Sequence, residues 1–521
     1  MKKTNILLYI GILVLGASSC KKYLDINTNP NEATSATAEL ILPQALTTTA
    51  GVLNGYNSYG AQLVGYSANA GGYGGFGTAY TYRFGSSDFQ GLWSGTYDNL
   101  EDYQTILNYT DGLPEYGYFN AAARIMKVYD YQLLIDTYND VPYTDALKGA
   151  DVLTPKYDNG AALYDSLAHQ LDVAMETIEA TGSAVGVKNL GGSDVLFHSD
   201  MDTWKKFANT IKLRLIVRSN GKANISDKNF NSIGFLDEDA LVNPGFVRDN
   251  NRQNPAWSSW AFSNTLSAGN KAWMPNKFVF AFYNGQKLDD PYRGEAIYYQ
   301  WPSTPTNQLG HEGNDVVASP PGSFWYSGTD RSSDPGKSPG ILKGPNAGYP
   351  VMLAAESYFL QAEARVNGIL PNGSDAKELF EQGIEASFNY LYLKPDNTLA
   401  GNPSEDAASY ITDNSTSPLV NFDLATSDAS KLEAIITQKY IALNFINSQE
   451  SWNEYRRTGY PTLVTSAGAS DIQTFASPKS ESTRPDKMPS RILYPSSEGS
   501  YNTTNVPKDI SPFTSLIFWA K

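Results

Sequence analysis

The chain has 521 residues, of which 41% are hydrophobic and 18% charged, which places it among folded globular proteins rather than disordered or fibrous ones. Its 54 acidic and 39 basic residues give a net charge of −15, which excludes a general nucleic-acid binder and electrostatic docking on anionic lipid. There is one cysteine, so no internal disulfide supports the fold and stability must come from packing.

The N-terminus has Lys2 and Lys3, an apolar run from Ile6 to Leu15, the small residues Gly16 to Ser19, and then Cys20. A positive start, a short apolar core and a small-residue exit describe a secretory signal peptide, and the run is too short to span a membrane. A cysteine at the exit reads as the acylation point of a bacterial lipoprotein. Residues 1–19 are therefore expected to be removed, and Cys20 to carry lipid that anchors the mature chain. Residues 20–37 are polar and turn-rich, a flexible leader. Asp25, Asn27, Asn29 and Glu32 offer oxygen ligands at short spacing but do not form an EF-hand loop, and a solvated leader is the simpler reading.

From Ala38 to about Ala70 the chain reads as a helix carrying Leu40, Ile41, Leu46, Val52, Leu53, Leu63 and Val64. It should stop at Gly71-Gly-Tyr-Gly-Gly-Phe-Gly, since glycines this close do not stay helical. Helical patterns resume over 88–109 and 116–138, with Ala121, Ile125, Val128, Leu133 and Leu134 near helical spacing. Two more fit 158–180 and 200–219, the latter with Asp200 as its cap. Paired helices on short connections suggest hairpins stacked as a degenerate solenoid.

Residues 221–349 differ, being dense in Gly, Pro, Asn and Ser yet rich in tryptophan. Only 274–284 looks regular, with Pro275 in a first helical turn. So long an irregular stretch is functional or disordered, and its Trp content argues against disorder. Helices return at 351–367, with a stripe of Val351, Ala355, Tyr358, Ala362 and Val366 closed by Gly368, and at 374–392 with Ser374 as cap candidate. Another spans 430–446, before Glu450-Ser-Trp-Asn-Glu-Tyr-Arg-Arg-Thr-Gly. Residues 461–521 are again irregular.

The residues give little support for catalysis. His169, His198 and His311 have no metal-binding spacing, and no Gly-x-Ser-x-Gly elbow occurs. Gly336-Lys337-Ser338 lacks the first glycine of a phosphate loop, because Arg331 stands there. Carboxylate pairs such as Asp289/Asp290 and Glu356/Glu363 exist, but the sequence cannot set their separation. Glu363 reads as a structural ion-pair partner, for instance of Arg456. Asp237, Glu238 and Asp239 read as a solvated acidic turn. No cofactor is expected, a structural calcium ion being the one left open.

Aromatic content is high at 12%, with 34 Tyr, 22 Phe and 9 Trp. Many of these rings lie in Gly-, Asn- and Pro-rich segments, where they offer platforms for ligands with apolar faces.

Several segments together resemble one family. The run Ala354 to Ala364, the helix Ile435 to Ile446, the stretch Trp452 to Gly459, Arg491-Ile-Leu-Tyr-Pro with Glu498, and the start Cys20 with Tyr23-Leu-Asp25 are similar to the SusD/RagB family of outer-membrane lipoproteins. The likeness is to its SusD-like branch rather than to the starch-binding founder. The resemblance implies a mainly α fold: a tetratricopeptide-type scaffold of helical hairpins (about 38–220 and 350–460) within a single domain (38–521), covered on one side by an irregular half (about 221–349 and 461–521). It implies a cell-surface binding protein, not an enzyme, that captures an oligosaccharide and closes over a TonB-dependent, SusC-like transporter. The same architecture capturing peptides is the alternative, and a surface glycosidase a third reading.

The resemblance also implies a ligand site where the Gly-rich loop meets the irregular half. The expected ring contacts are Tyr73, Phe76, Tyr80, Tyr82 and Trp93 on the first side and Trp257, Trp260, Trp301, Trp325 and Tyr326 on the second. Arg83, Asp88 and Asn254 are the polar candidates. Any single ring more often packs the irregular half than meets ligand.

Overall fold

The computed structural model describes residues 36–312, 320–328, 338–466 and 468–521. The expected signal peptide, the expected leader up to residue 35 with Cys20, and Gly336 and Lys337 lie outside the described residues.

Five helices build the first half of the scaffold: α1 (Ala38–Leu63), α3 (Gln90–Thr110), α4 (Gly117–Tyr138), α5 (Gly160–Thr181) and α6 (Met201–Ser219), with a short α2 (Gly77–Thr81) in the loop after α1. Each long helix packs on the next, α1 on α3, α3 on α4, α4 on α5 and α5 on α6. Asp200 caps α6 as expected, its carboxylate accepting from the Asp202 and Thr203 amides at 2.9 and 3.0 Å. The first helix ends seven residues short of the sequence expectation. Gly65 follows at φ +72°, and a Cβ there would meet the Phe475 ring, so the chain turns out of the helix.

Residues Ser67–Asn69 then form strand β1, which pairs antiparallel with β3 (Trp273–Pro275). The helix expected over 274–284 is thus reduced to α7 (Lys277–Phe280), capped by Asn276, and Pro275 is a strand residue. The long-range ladder claims the residues that local pattern would make helical. A second pair joins β2 (Ala240–Val242) to β4 (Tyr349–Met352), so Val351 is also in a strand. A short helix, α8 (Pro291–Ile297), lies in the middle of the chain.

The array continues through α9 (Ala354–Val366), packed on α6, with α10 (Ala376–Tyr392), α11 (Pro403–Asp413) and α12 (Asp428–Ala442) beside it. The cap of α10 is Asp375, one residue beyond the expected Ser374, and its carboxylate accepts from the Glu378 amide. The acidic turn 237–239 is exposed at Asp237 and Glu238, as expected, and partly buried at Asp239. Asp237 pairs with Lys206, Glu238 accepts from the Thr203 hydroxyl, and Asp239 accepts from the Ala354 amide at the start of α9. Burial pushes the Asp239 carboxyl up to about 6.

Helix α13 (Ser448–Thr458) closes the scaffold against α1, and all its residues are buried. The contact is close. A Cβ on Gly60 would lie 2.5 Å from the Ser448 carbonyl carbon. Because α13 carries Glu450, Glu454, Arg456 and Arg457 into the interior, their charges must be matched there. Arg218 of α6 binds Asp136, Glu450 and Glu454, Lys439 of α12 binds Glu450 and Glu454, and Arg214 binds Glu356 at 3.0 Å. Burial pushes the Glu450 carboxyl up, but Arg218 and Lys439 outweigh it and hold the group well below its ordinary range. The expected partner of Glu363 is corrected by one residue: it is Arg457, with Nη1 and Nη2 at 2.6 and 2.7 Å. One continuous hydrophobic core runs from α1 to Trp519, and α14 (Ser496–Tyr501) lies near the C-terminus.

Candidate functional site

The antiparallel pairing of β1 with β3 joins the Gly-rich loop to the irregular half. Ser67 faces Pro275 and Asn69 faces Trp273 in register, and the Ala70 amide donates to the Ala272 carbonyl at 2.8 Å. Asn69 then ties in a third segment. Its side-chain amide donates to the His311 carbonyl, and its carbonyl oxygens accept from Gly310 and Asn307. A fourth segment, 477–481, is held by the Tyr82 hydroxyl, which accepts from the Ser477 amide at 3.0 Å, and by Thr81, whose carbonyl accepts from Glu481.

Rings gather at this junction. Phe76 meets Trp273 edge to face, with centroids 5.1 Å apart, and meets Tyr80 at 5.7 Å. Trp273 is half-buried, and Tyr73, three residues before Phe76, is 50% exposed. Phe76 and Tyr80 are nearly covered and form the floor. The loop itself is bare backbone. Gly72 and Gly75 sit at φ +80° and +89°, and a Cβ on Gly72, Gly74, Gly75 or Gly77 would meet nothing within 4 Å.

A charged rim surrounds the rings. The Lys479 ammonium sits 4.9 Å from the centre of the Tyr80 ring and pairs with Glu312, and Arg83 pairs with Glu481. Lys277 and His311 both approach Asp471, at 2.7 and 3.6 Å. Burial, with the Glu312 charge adding to it, pushes the Tyr80 phenol up to about 12. Exposed pairs of this kind contribute only ~0–1 kcal/mol each, so their contacts can be exchanged for others at small cost.

Of the sequence-predicted residues, Phe76, Tyr80 and Arg83 lie at this junction, and Tyr73 is exposed in the Gly-rich loop beside it. The others are placed elsewhere. Tyr82 is fully buried beneath it. Asp88 accepts from the Gly85 amide at 2.7 Å and shapes the turn before α3. Trp93 packs among Tyr97, Tyr138, Tyr157 and Tyr494. Asn254 donates to the Ala347 and Gly348 carbonyls and accepts from the Trp257 amide, pinning an interior loop. Trp257 and Tyr326 pack on Phe262, while Trp260 and Trp325 pack on Phe445, the Trp325 ring stacked at 3.9 Å. Trp301 is half-buried over Gly294 and Phe280. These rings fasten the irregular half to the scaffold.

Sequence reasoning left Trp273, Glu312, Lys479 and Glu481 out of the site. The aromatic density around Trp273 was the available signal. Its partner strand lies some 200 residues away, and no local pattern reports that pairing.

Among the described residues no group of three or more His, Cys, Asp or Glu side chains is arranged to hold a metal ion. Nor is any helix among them long and apolar enough to cross a membrane.

A SusD-like family profile, described as "Starch-binding associating with outer membrane", matches residues 30–495. The chain belongs to the SusD-like family. This is a family of outer-membrane-associated binding proteins and not an enzyme class. Among solved structures, a SusD homologue from Bacteroides fragilis is 20% identical, with TM-score 0.65 over 94% of this chain and 100% of that one. A SusD homologue from Bacteroides uniformis is 21% identical, with TM-score 0.65 over 92% and 99%. A chitin-binding SusD homologue from Flavobacterium johnsoniae is 22% identical, with TM-score 0.65 over 91% and 98%. No curated protein matches. The SusD-like fold is TPR-like and mainly helical, as the stacked array here is.

Proposed function

We propose that this SusD-like protein is a cell-surface nutrient-binding lipoprotein. It holds an oligosaccharide on the surface formed by Tyr73, Phe76, Tyr80 and Trp273, and delivers it to a TonB-dependent, SusC-like transporter. The observation that carries the reading is the Phe76–Trp273 pair at the β1–β3 junction, flanked by the exposed Tyr73 ring and a charged rim. A sugar presents an apolar C–H face that stacks on rings and hydroxyls that bond to Arg, Lys and carboxylate groups. The surface is open rather than enclosed, which suits a chain of sugar units.

Binding alone is proposed, with no bond made or broken. Glu312, Glu481 and Asp471 are the carboxylates of the rim, and each is engaged by a cation, whereas glycoside hydrolysis needs a carboxyl that carries a proton to the leaving oxygen. Cys20 is proposed as the lipid attachment point. The test is affinity measurement of the mature chain against glycan and peptide panels. Binding to a glycan and not to peptides is expected. Binding to peptides alone, or release of product from the glycan, overturns the reading.

A further inference from the structure

Between α3, α4 and α5, away from the loops of the aromatic surface, lies a cavity of about 380 Å³. That volume is within the range of small-molecule sites. Arg124 and Lys127, one turn apart on α4, both line it. Arg124 donates to Gln170 and Asn120, and Lys127 to Gln104. Among the described residues neither cation forms an ion pair, although the Asp111 side chain also lines the cavity.

Two donors buried in the wall of this cavity have no acceptor. Tyr131 is 1% exposed, lines the cavity, and its hydroxyl has no hydrogen-bond partner, and the Arg124 Nε is in the same state. Buried polar atoms are ordinarily paired, so each of these asks for a partner that the chain does not provide. Burial, with Arg124 adding to it and Glu101 opposing, holds Lys127 down to about 8. The Lys127 ammonium lies 5.8 Å from the Tyr131 ring.

We propose that this cavity is a second ligand site, for a small hydroxylated carboxylic acid of the size and chemistry of a uronic acid. The carboxylate would sit between Arg124 and Lys127, whose mutual repulsion it relieves. The ligand hydroxyls would meet the Tyr131 hydroxyl and the side-chain amides of Gln104, Asn120 and Gln170. An inorganic anion would fill only part of the space and leave the amides unused.

The experiment is calorimetric titration of the mature chain with glucuronate, with glucose as the neutral arm and sulfate as the bare-anion arm. Glucuronate is expected to bind about tenfold or more tightly than either. Lys127→Gln should weaken it by about tenfold. Tyr131→Phe should weaken it severalfold while leaving thermal unfolding unchanged, because that hydroxyl has no bond to lose in the free protein. Trp273→Ala, on the aromatic surface, should leave it intact. The proposal is overturned if glucose or sulfate binds as well as glucuronate, if Tyr131→Phe and Lys127→Gln bind like the parent, or if Trp273→Ala abolishes binding. The last result would place the ligand on the aromatic surface.

Discussion

Arg457 and Glu363 face each other as a two-point pair, Nη1 to Oε1 at 2.6 Å and Nη2 to Oε2 at 2.7 Å, with both side chains almost wholly buried. The pair links α13 to α9, two elements separated by about 90 residues of sequence, and Glu454 adds a second acceptor for the same guanidinium. Arg456, next along α13, points elsewhere, to the Asp136 and Ser490 carbonyls and over the Trp519 ring. Adjacent helical residues are turned about 100° apart, so one arginine takes the carboxylate and the other takes backbone.

Removing one member of a buried ion pair leaves the other desolvated and unmatched, at a cost of about 3–5 kcal/mol. Glu363→Gln should therefore lower the denaturant midpoint strongly. Adding Arg457→Leu to it should cost less than the sum of the two single changes. Equilibrium unfolding of the four proteins checks this, and simple additivity would mean the pair is not coupled.

The Glu450 carboxyl is held well below its ordinary range by Arg218 and Lys439 despite burial. A carboxyl depressed in the folded state contributes stability that is present above its unfolded value of about 4.3 and lost as pH falls through the folded value. Unfolding free energy should therefore decline from about pH 4.3 downward. Glu450→Gln should be less stable at pH 7 and show a shallower decline below pH 4.3. Denaturant titrations between pH 7 and pH 3 read both effects, and parallel curves would contradict them.

Gly60 allows α1 and α13 to touch, and a methyl there would lie 2.5 Å from the Ser448 carbonyl carbon and 2.6 Å from the Gln449 nitrogen. Neither backbone atom can swing aside as a side chain would. Gly60→Ala should destabilise by about 1–3 kcal/mol through overpacking, despite alanine's better helix propensity. A thermal melt at or above that of the parent would show that α13 shifts freely.

On the aromatic surface, each stacked ring contributes ~0.5–1.5 kcal/mol, roughly two- to tenfold in Kd. Trp273→Ala and Tyr73→Ala should each weaken glycan binding by about that factor, with Tyr73→Ala leaving stability unchanged because half the ring is already in water. Trp325→Ala, by contrast, should lower stability by about 3–5 kcal/mol, since that ring is buried and stacked on Phe445. Glycan titration and melting of the three variants separate the two kinds of tryptophan.

Cys20→Ala should shift the protein from the membrane fraction to the soluble fraction and reduce uptake by cells, while the purified chain still binds ligand. Fractionation and uptake assays check this. Undiminished uptake would make the anchor incidental.

The helical scaffold was legible because its signal is local. Apolar residues recur at helical spacing through α3, α4, α5 and α6, Asp200 stands where a cap must, and Gly368 at φ +71° follows α9 as expected. Family membership was legible for a related reason. Two of the stretches that carry it, 354–364 and 452–459, lie in or at the end of helices that enter the buried charge network, where Glu356, Glu363, Glu454 and Arg457 have fixed partners. The irregular half was not legible in this way, because its residues take their conformation from partners far along the chain. Pro275 reads locally as a helix start and becomes a strand residue because Ser67 pairs with it. The tryptophans of 221–349 are equal in sequence, all set among Gly, Pro and Asn. Tertiary packing separated them, burying Trp257, Trp260 and Trp325 against Phe262 and Phe445 while the β1–β3 ladder left Trp273 half in solvent beside Phe76. Composition alone determined that rings would be plentiful. Which of them stay open to solvent was decided by the order in which distant segments cover one another, since a ring can bind only with the face that the rest of the chain leaves open.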